Sequence, residues 1–178
     1  GLPAHLTAIN NGILFVDTAN RLGKISLVNK TMNPTVSGTE KLTSVDDLIT
    51  YNNNLYVLTS KAQQIIKMRP QGDGYEAGTA WITARNSDIS QATAMAVDGD
   101  IYLINSDKIT RFSSGHESAL ELAAIDPPLL APTAIWTSFE SKNLYLLEPS
   151  ENRIIVYDKQ GKFIAQYLSD AFHDGRDL

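Results

Sequence analysis

The sequence predicts an all-β fold, a β-propeller of four-stranded antiparallel blades with four repeats in this chain. Three recurring features predict it. The first is a short apolar strand with an aromatic at its centre: Leu14-Phe15-Val16, Leu55-Tyr56-Val57, Ile101-Tyr102-Leu103 and Leu144-Tyr145-Leu146. The aromatics fall 41, 46 and 43 residues apart, the period of one propeller blade. The second is a turn of Asx, Gly and small polar residues just before that strand. The third is a later strand that opens with Ile and carries a bulky residue three positions on.

Each element follows in order. An apolar run precedes every anchor: Leu6 to Ile9, Leu48 to Tyr51, Met95 to Val97 and Ile135 to Thr137. Between the runs lie Asn10-Asn11-Gly12, Asn52-Asn53-Asn54, Asp98-Gly99 and Ser141-Lys142-Asn143, residues that tolerate positive φ and so close hairpins. The third strands read Ile25 to Val28, Ile65 to Met68, Ile109 to Phe112 and Ile154 to Tyr157. The fourth strands are less regular: Thr35 to Ser37 (weak), Ala80 to Ala84, Leu120 to Ala124 and Phe163 to Leu168. The repeats thus span about 5–38, 45–84, 92–125 and 132–169 of a single domain, 1–178. The first two strands of each repeat are apolar on both faces, as stacked sheets require, whereas a generic β-sandwich would alternate. The recurrent aromatics Phe15, Tyr56, Tyr102 and Tyr145 are assigned to the core, as is Trp136; Trp81 falls on an outer strand.

The fourth repeat carries a family likeness. Pro132-Thr133-Ala134-Ile135, Asn143-Leu144-Tyr145-Leu146-Leu147, Asn152-Arg153-Ile154-Ile155-Val156-Tyr157-Asp158, Gly161 and Phe163 resemble an NHL-type propeller repeat. Similar patterns run over Leu55 to Met68 and Ile101 to Phe112. The usual Asp after the second strand is Asp17 in the first repeat, but Thr59, Asn105 and Glu148 in the others. Residues 89–178 also resemble uncharacterised bacterial propeller domains at the C-terminus of larger, phosphatase-like or membrane-associated proteins. That resemblance implies an extracytoplasmic part of a membrane-associated bacterial protein, and a chain that is a piece of a bigger ring.

An open arc has a physical cost. Two exposed blade faces with ~400 Å² or more of apolar area between them would cost on the order of 10 kcal/mol, comparable to a whole domain's stability. Either the four repeats close on themselves or the arc self-associates through its open blade faces. Leu2-Pro3-Ala4-His5-Leu6 resembles His173-Asp174-Gly175-Arg176-Asp177-Leu178, a phase match that permits closure.

Composition bounds the function. The 178 residues carry 43% apolar and 20% charged side chains and no cysteine, which removes disulfides, thiolate chemistry and Cys-based zinc sites. Net charge is −5 and uneven. Residues 1–88 hold eight basic against seven acidic side chains, and residues 89–178 seven against thirteen. Nucleic-acid binding, which needs clustered cations, is not expected. No apolar run approaches the ~20 residues of a membrane span, so no direct membrane insertion is expected, and the N-terminus lacks a signal-peptide pattern.

Loops carry function on rigid scaffolds. The loops joining second to third strands each supply a cation: Arg21, Lys61, Lys108 and Arg153. The loops entering the blades add Arg85 with Asn86 and Asp88, Asp126, and His173 with Asp174 and Arg176. A mixed-charge rim of Arg21, Lys61, Lys108, Arg153, Arg85, His173 and Arg176 would select an acidic group on a protein partner or small-molecule ligand. Solvated, paired surface charges would look the same in sequence.

No catalytic constellation or cofactor motif is present. Of the histidines, His5, His116 and His173, His5 and His173 sit near equivalent entry positions, and with Asp174 would form a minimal metal set. No H-x-H or H-x-x-x-H spacing supports it, and no metal ligand is assigned. Gln71-Gly72-Asp73-Gly74-Tyr75-Glu76 lacks the alternating carboxylates of a calcium loop and reads as a turn between third and fourth strands. The expected function is a non-enzymatic binding module engaged at the loop face around the axis. The alternatives are a metal-dependent hydrolase or lyase of the lactonase-like propeller type, and an architectural self-assembling segment.

Overall fold

A computed structural model describes residues 3–39, 42, 44–83 and 87–178. Among them run four four-stranded antiparallel sheets. The first holds β1 (Pro3–Ile9), β2 (Gly12–Asp17), β3 (Leu22–Ser26) and β4 (Thr31–Asn33) in sequence order. The second begins with β5 (Asp47–Tyr51), β6 (Asn54–Thr59) and β7 (Gln64–Met68). A separate hairpin follows, β8 (Pro70–Gln71) with β9 (Gly74–Tyr75), and then β10 (Thr79–Ala80) completes the sheet beside β7. The third comprises β11 (Ala92–Val97), β12 (Ile101–Asn105), β13 (Lys108–Ser113) and β14 (His116–Ser118). The fourth comprises β15 (Ala134–Trp136), β16 (Asn143–Glu148), β17 (Arg153–Asp158) and β18 (Phe163–Leu168), again in order.

The chain divides into two compact units, Gly1–Thr83 and Ala84–Leu178, each with two sheets. In the first unit, Leu14 and Val16 of β2 and Leu22 of β3 share a buried cluster with Leu48, Leu55, Val57 and Met68 of the next sheet. Thr50 ties the two sheets, its N–H donating to Thr7 Oγ1 at 3.1 Å and its hydroxyl to the Ala8 carbonyl. In the second unit, Ala96, Tyr102, Ile104 and Ile109 meet Ile135, Leu144, Leu146, Ile155 and Tyr157. Both interfaces follow one rule. The face holding positions 14 and 16, or 102 and 104, packs on the next sheet's face holding positions 55 and 57, or 144 and 146.

That rule corrects the register of the first repeat. Asp17, Thr59, Asn105 and Glu148 all end the second strand of their sheet. Counting back three residues gives Tyr56, Tyr102 and Tyr145, but Leu14 rather than Phe15. Phe15 therefore lies on the opposite face, over Gly23, where an added Cβ would come within 2.2 Å of the ring. A one-residue slip exchanges the faces of a strand, and a strand apolar on both faces hides the slip. Tyr56 and Tyr102 are buried, whereas Phe15 and Tyr145 are only half-buried.

The third strand of the same repeat also moves. Asp17 folds its carboxylate back onto the Ala19 and Arg21 N–H groups, so β3 starts at Leu22, three residues before Ile25. Leu27 and Val28 then lie past the strand end, 60% and 66% exposed.

Fourth strands depart most from expectation. β4 is Thr31–Asn33, not residues 35–37, and Pro34, without an N–H, stops it. β14 is His116–Ser118, not residues 120–124. The cause is a two-residue turn: Ser114 and Gly115 both take positive φ, 50° and 83°, and send the chain straight back. Only β18 lies where expected, at Phe163–Leu168. In the second sheet β10 is Thr79–Ala80 rather than residues 80–84, of which residue 84 lies outside the described residues; Trp81 N–H extends it by donating to the Ile65 carbonyl at 2.8 Å.

The Gln71–Glu76 segment is more than a turn. It forms the β8–β9 hairpin, whose Tyr75 enters the first unit's core and donates its N–H to the Ser37 carbonyl at 3.0 Å. Gly38, at φ +86°, permits this approach, because a Cβ there would stand 1.8 Å from the Tyr75 carbonyl oxygen.

Burial differs between sheets. β6 is buried on both faces from Leu55 to Thr59, and β12 from Ile101 to Ile104. β2 and β16 alternate along their first four residues. On the Phe15 face Leu6 is 58% and Met32 64% exposed; on the Tyr145 face Trp136, assigned to the core by sequence, is 41% exposed. Trp81 is half-buried, edge-on to Tyr56 at 6.3 Å.

Candidate functional site

The position that ends each second strand is a tether. In the first sheet Asp17 Oδ2 accepts from Arg21 Nε at 2.9 Å and Nη2 at 2.6 Å. The Arg21 side-chain hydrogen bonds, followed by its backbone N–H, hold the Asp17 carboxyl well below the usual carboxylate range. In the second sheet Thr59 Oγ1 donates to the Gln64 carbonyl, and in the third Asn105 Nδ2 donates to the Asp88 carbonyl at 2.7 Å. In the fourth, Glu148 Oε1 accepts from the Leu130 and Ala131 N–H groups, both at 2.7 Å.

Glu148 and Arg153 form a buried ion pair, Nη2 to Oε2 at 2.6 Å, with the side chains 0% and 1% exposed. Arg153 Nη1 also donates to the Pro127 carbonyl at 2.9 Å and Gln166 Oε1 at 3.2 Å, and Nη2 to the Pro128 carbonyl at 2.8 Å. With Nε on Glu148 Oε2, all donors of the guanidinium meet protein acceptors. This pair clamps the 127–131 segment against the sheet.

The nominated rim residues fall in different places. Arg21, 61% exposed, is paired with Asp17. Lys61 is exposed in the short 3-10 turn Ser60–Ala62. Lys108 is exposed at the start of β13. Arg153 is internal and presents no guanidinium to solvent. His173 and Arg176 are exposed in the C-terminal segment, while Arg85 lies outside the described residues. Arg21 and Lys61 belong to the first unit, and Lys108, Arg153, His173 and Arg176 to the second. His5 Nδ1 stands 3.9 Å from Asp47 Oδ1. Among the described residues no three His, Asp or Glu side chains group as a metal-holding set.

The second unit contains a cleft of about 710 Å³. One wall is β13 from Lys108 to Arg111, and the other is the chain from Ala119 to Ile125, closed by Leu129 and Tyr157. It exists because the fourth strand is too short. β14 pairs with β13 only at Ser113↔His116, Phe112↔Glu117 and Arg111↔Ser118. The chain then leaves for the neighbouring sheet, where Ala123 N–H donates to the Gly161 carbonyl at 2.7 Å and Tyr157 Oη to the Ala123 carbonyl at 3.2 Å. In the fourth sheet the equivalent edge is filled, with Ile154↔Tyr167 and Arg153↔Leu168 paired.

The cleft lining mixes charged and polar side chains with the apolar Ile109, Leu120, Leu122, Ile125 and Leu129. Asp107, Lys108, Glu117 and Glu121 are exposed. Arg111 is engaged by Asp100, Nε to Oδ2 at 2.8 Å, a bond that raises its pKa further. Ser118 Oγ is buried and finds no hydrogen-bond partner among the described residues. Of the nominated cations only Lys108 lines this cleft. Sequence reasoning missed Ser118 and the open edge at Ile109, although the Ser114-Gly115 turn signal was legible.

Neither a family model nor a curated protein matches the sequence. Solved structures do match the fold. Virginiamycin B lyase from Staphylococcus aureus is 18% identical, with a TM-score of 0.61, covering 94% of this chain and 56% of its own. A chain of a nidogen–laminin complex is 13% identical, with a TM-score of 0.52, covering 94% and 80%. The calcium-binding protein regucalcin from Agrobacterium tumefaciens is 14% identical, with a TM-score of 0.58, covering 92% and 58%. The four sheets are β-propeller blades. This agrees with the NHL-type likeness of the repeats. The propeller chain spans little more than half the length of the lyase and of regucalcin.

Two outcomes follow from the tethers. Arg153→Ala leaves Glu148 charged and buried without its partner, and should cost about 3–5 kcal/mol in urea denaturation. The paired replacement Glu148→Leu with Arg153→Met should cost clearly less. Asp17 has a folded pKa below its unfolded value, so its contribution is full above about pH 5 and is lost as pH falls through the acid range. The stability gap between wild type and Asp17→Asn should therefore be widest at neutral pH and close toward pH ~2, read from urea midpoints across that series.

Proposed function

We propose that this propeller is a non-enzymatic binding module whose ligand seats in the cleft of the second unit. The observation that carries this reading is the cleft itself, which lies along the part of β13 beyond its last pair, Arg111↔Ser118, and whose lining includes Ser118, with an Oγ that finds no partner among the described residues. Buried polar atoms ordinarily have a partner, and ligand sites are concave; this one sets the apolar Ile109, Leu120 and Leu122 beside the charged Asp107, Lys108, Glu117 and Glu121. The rim is not a cation collar, since Arg153 is internal and Arg21 is neutralised by Asp17. A protein or small-molecule partner fits this chemistry better than nucleic acid, given the acid surplus of residues 89–178. No described helix is long and apolar enough to cross a membrane.

The enzyme alternative draws on the lyase and the calcium-binding protein among the structural neighbours. Two measurements separate the readings. Titration with Ca²⁺, Mg²⁺, Mn²⁺ and Zn²⁺ should leave the melting temperature unchanged; a stoichiometric, tightly held ion would favour the metal-dependent reading. A small-molecule fragment screen by NMR should shift resonances of Ile109, Thr110 and Leu120, and Leu120→Trp should abolish those shifts. Fragment shifts confined to other surfaces would defeat the cleft as the site.

An architectural reading is favoured by one observation, the exposed apolar faces of the first and fourth blades. Leu6 and Met32 on the Phe15 face, and Trp136 and Tyr167 on the Tyr145 face, are 41–64% exposed. A Tyr145-type face is the kind that packs on the next blade's Ile13/Phe15-type face within each unit. A second copy of the chain supplies both. Sedimentation should show association that Leu6→Lys with Met32→Lys weakens at least tenfold; a monomer at every concentration would defeat it.

A further inference from the structure

The third blade lacks the second half of its fourth strand, and the vacated edge has a defined hydrogen-bonding register. Asn105↔Lys108 and Ser113↔His116 each close a two-residue turn, so both are hydrogen-bonded pairs. Alternation along β13 then directs the N–H and C=O of Lys108, Thr110 and Phe112 toward β12. Those of Ile109, Arg111 and Ser113 point toward β14. Ser113 and Arg111 meet His116 and Ser118 there. Ile109 comes next, and no described residue pairs with it on that side. In the fourth blade the same position, Ile154, is paired with Tyr167.

We infer that this edge accepts a short, extended basic peptide, added as the missing strand opposite Ile109. The inference rests on the cleft being the binding site of the module and names its ligand class. Strand addition uses the main chain for affinity and alternate side chains for selection. The Ile109 N–H and C=O are the backbone pair to be met, and Ser118, whose buried Oγ has no partner among the described residues, belongs to the same lining. Apolar peptide side chains would face the lining of Ile109, Leu120 and Leu122. Charge sets the sign of the ligand: Asp107, Glu117 and Glu121 ring the cleft against the single unpaired Lys108, because Arg111 is taken up by Asp100.

The test is fluorescence anisotropy on the full chain with a labelled peptide alternating valine and lysine, its valine–glutamate counterpart, and a copy N-methylated at the central residue. The lysine peptide should bind about tenfold or more tighter than the glutamate peptide. N-methylation should weaken it about tenfold, since it removes a main-chain donor. Glu117→Lys with Glu121→Lys, both at exposed positions, should reverse the charge preference while leaving the melting temperature unchanged. Absence of peptide binding, equal binding of the N-methylated copy, or an unreversed preference would overturn the inference. If fragments still shift the Ile109 and Leu120 resonances while the peptide does not bind, strand addition falls and the binding module stands. If neither binds, both fall.

Discussion

The structure depends on one contact repeated in each unit: the face of one blade carrying Leu14 and Val16, or Tyr102 and Ile104, seated on the next blade's face carrying Leu55 and Val57, or Leu144 and Leu146. Each of these side chains is at most 1% exposed. Burying a large aliphatic or aromatic side chain contributes about 1.5–3 kcal/mol, so a few such pairs outweigh any single polar interaction in the chain. The contact also imposes register, because a strand shifted by one residue presents its other face. Tight Asx turns, with Asn52 and Asn53 both at positive φ, fix that register from one end, and the tether residue fixes it from the other.

The tethers explain what became of the charges. A residue at the end of the second strand must hold either its own loop or the segment entering its blade. Asp17 does the former; Asn105 and Glu148 do the latter. Glu148 is buried, so its charge requires a fully engaged cation, and Arg153 directly across the ladder supplies it. A buried pair of this kind need not add net stability relative to apolar residues. Its structural consequence is placement: the segment carrying the cis Asp126–Pro127 bond is held by Arg153 and Glu148 together.

The departure of residues 119–125 from the third blade links packing to the proposed binding. Leu120, Leu122 and Ile125 cover the second unit's core, and Gly161 lets the segment pass, since a Cβ there would stand 2.0 Å from the Glu121 carbonyl oxygen. The same residues cannot also pair with β13. Sealing the interface of the two blades therefore leaves a polar edge and a cleft at the position that β18 fills in the fourth blade.

The repeat, the strand count per blade and the position of most inner strands were legible in the sequence, because turn residues and apolar runs are local signals. So was the whole of β18. The sequence did not distinguish Leu14 from Phe15 as the residue equivalent to Tyr56, since both faces of that strand are apolar and only the contact between blades assigns them. It also placed Arg153 among the ligand-facing cations, because a charged residue at a loop looks solvated until Glu148, Pro127 and Pro128 are brought around it. Local chemistry determined where strands begin and turn. Tertiary packing alone decided which face is inside, which charge is internal and which edge stays open, because those depend on neighbours distant in sequence.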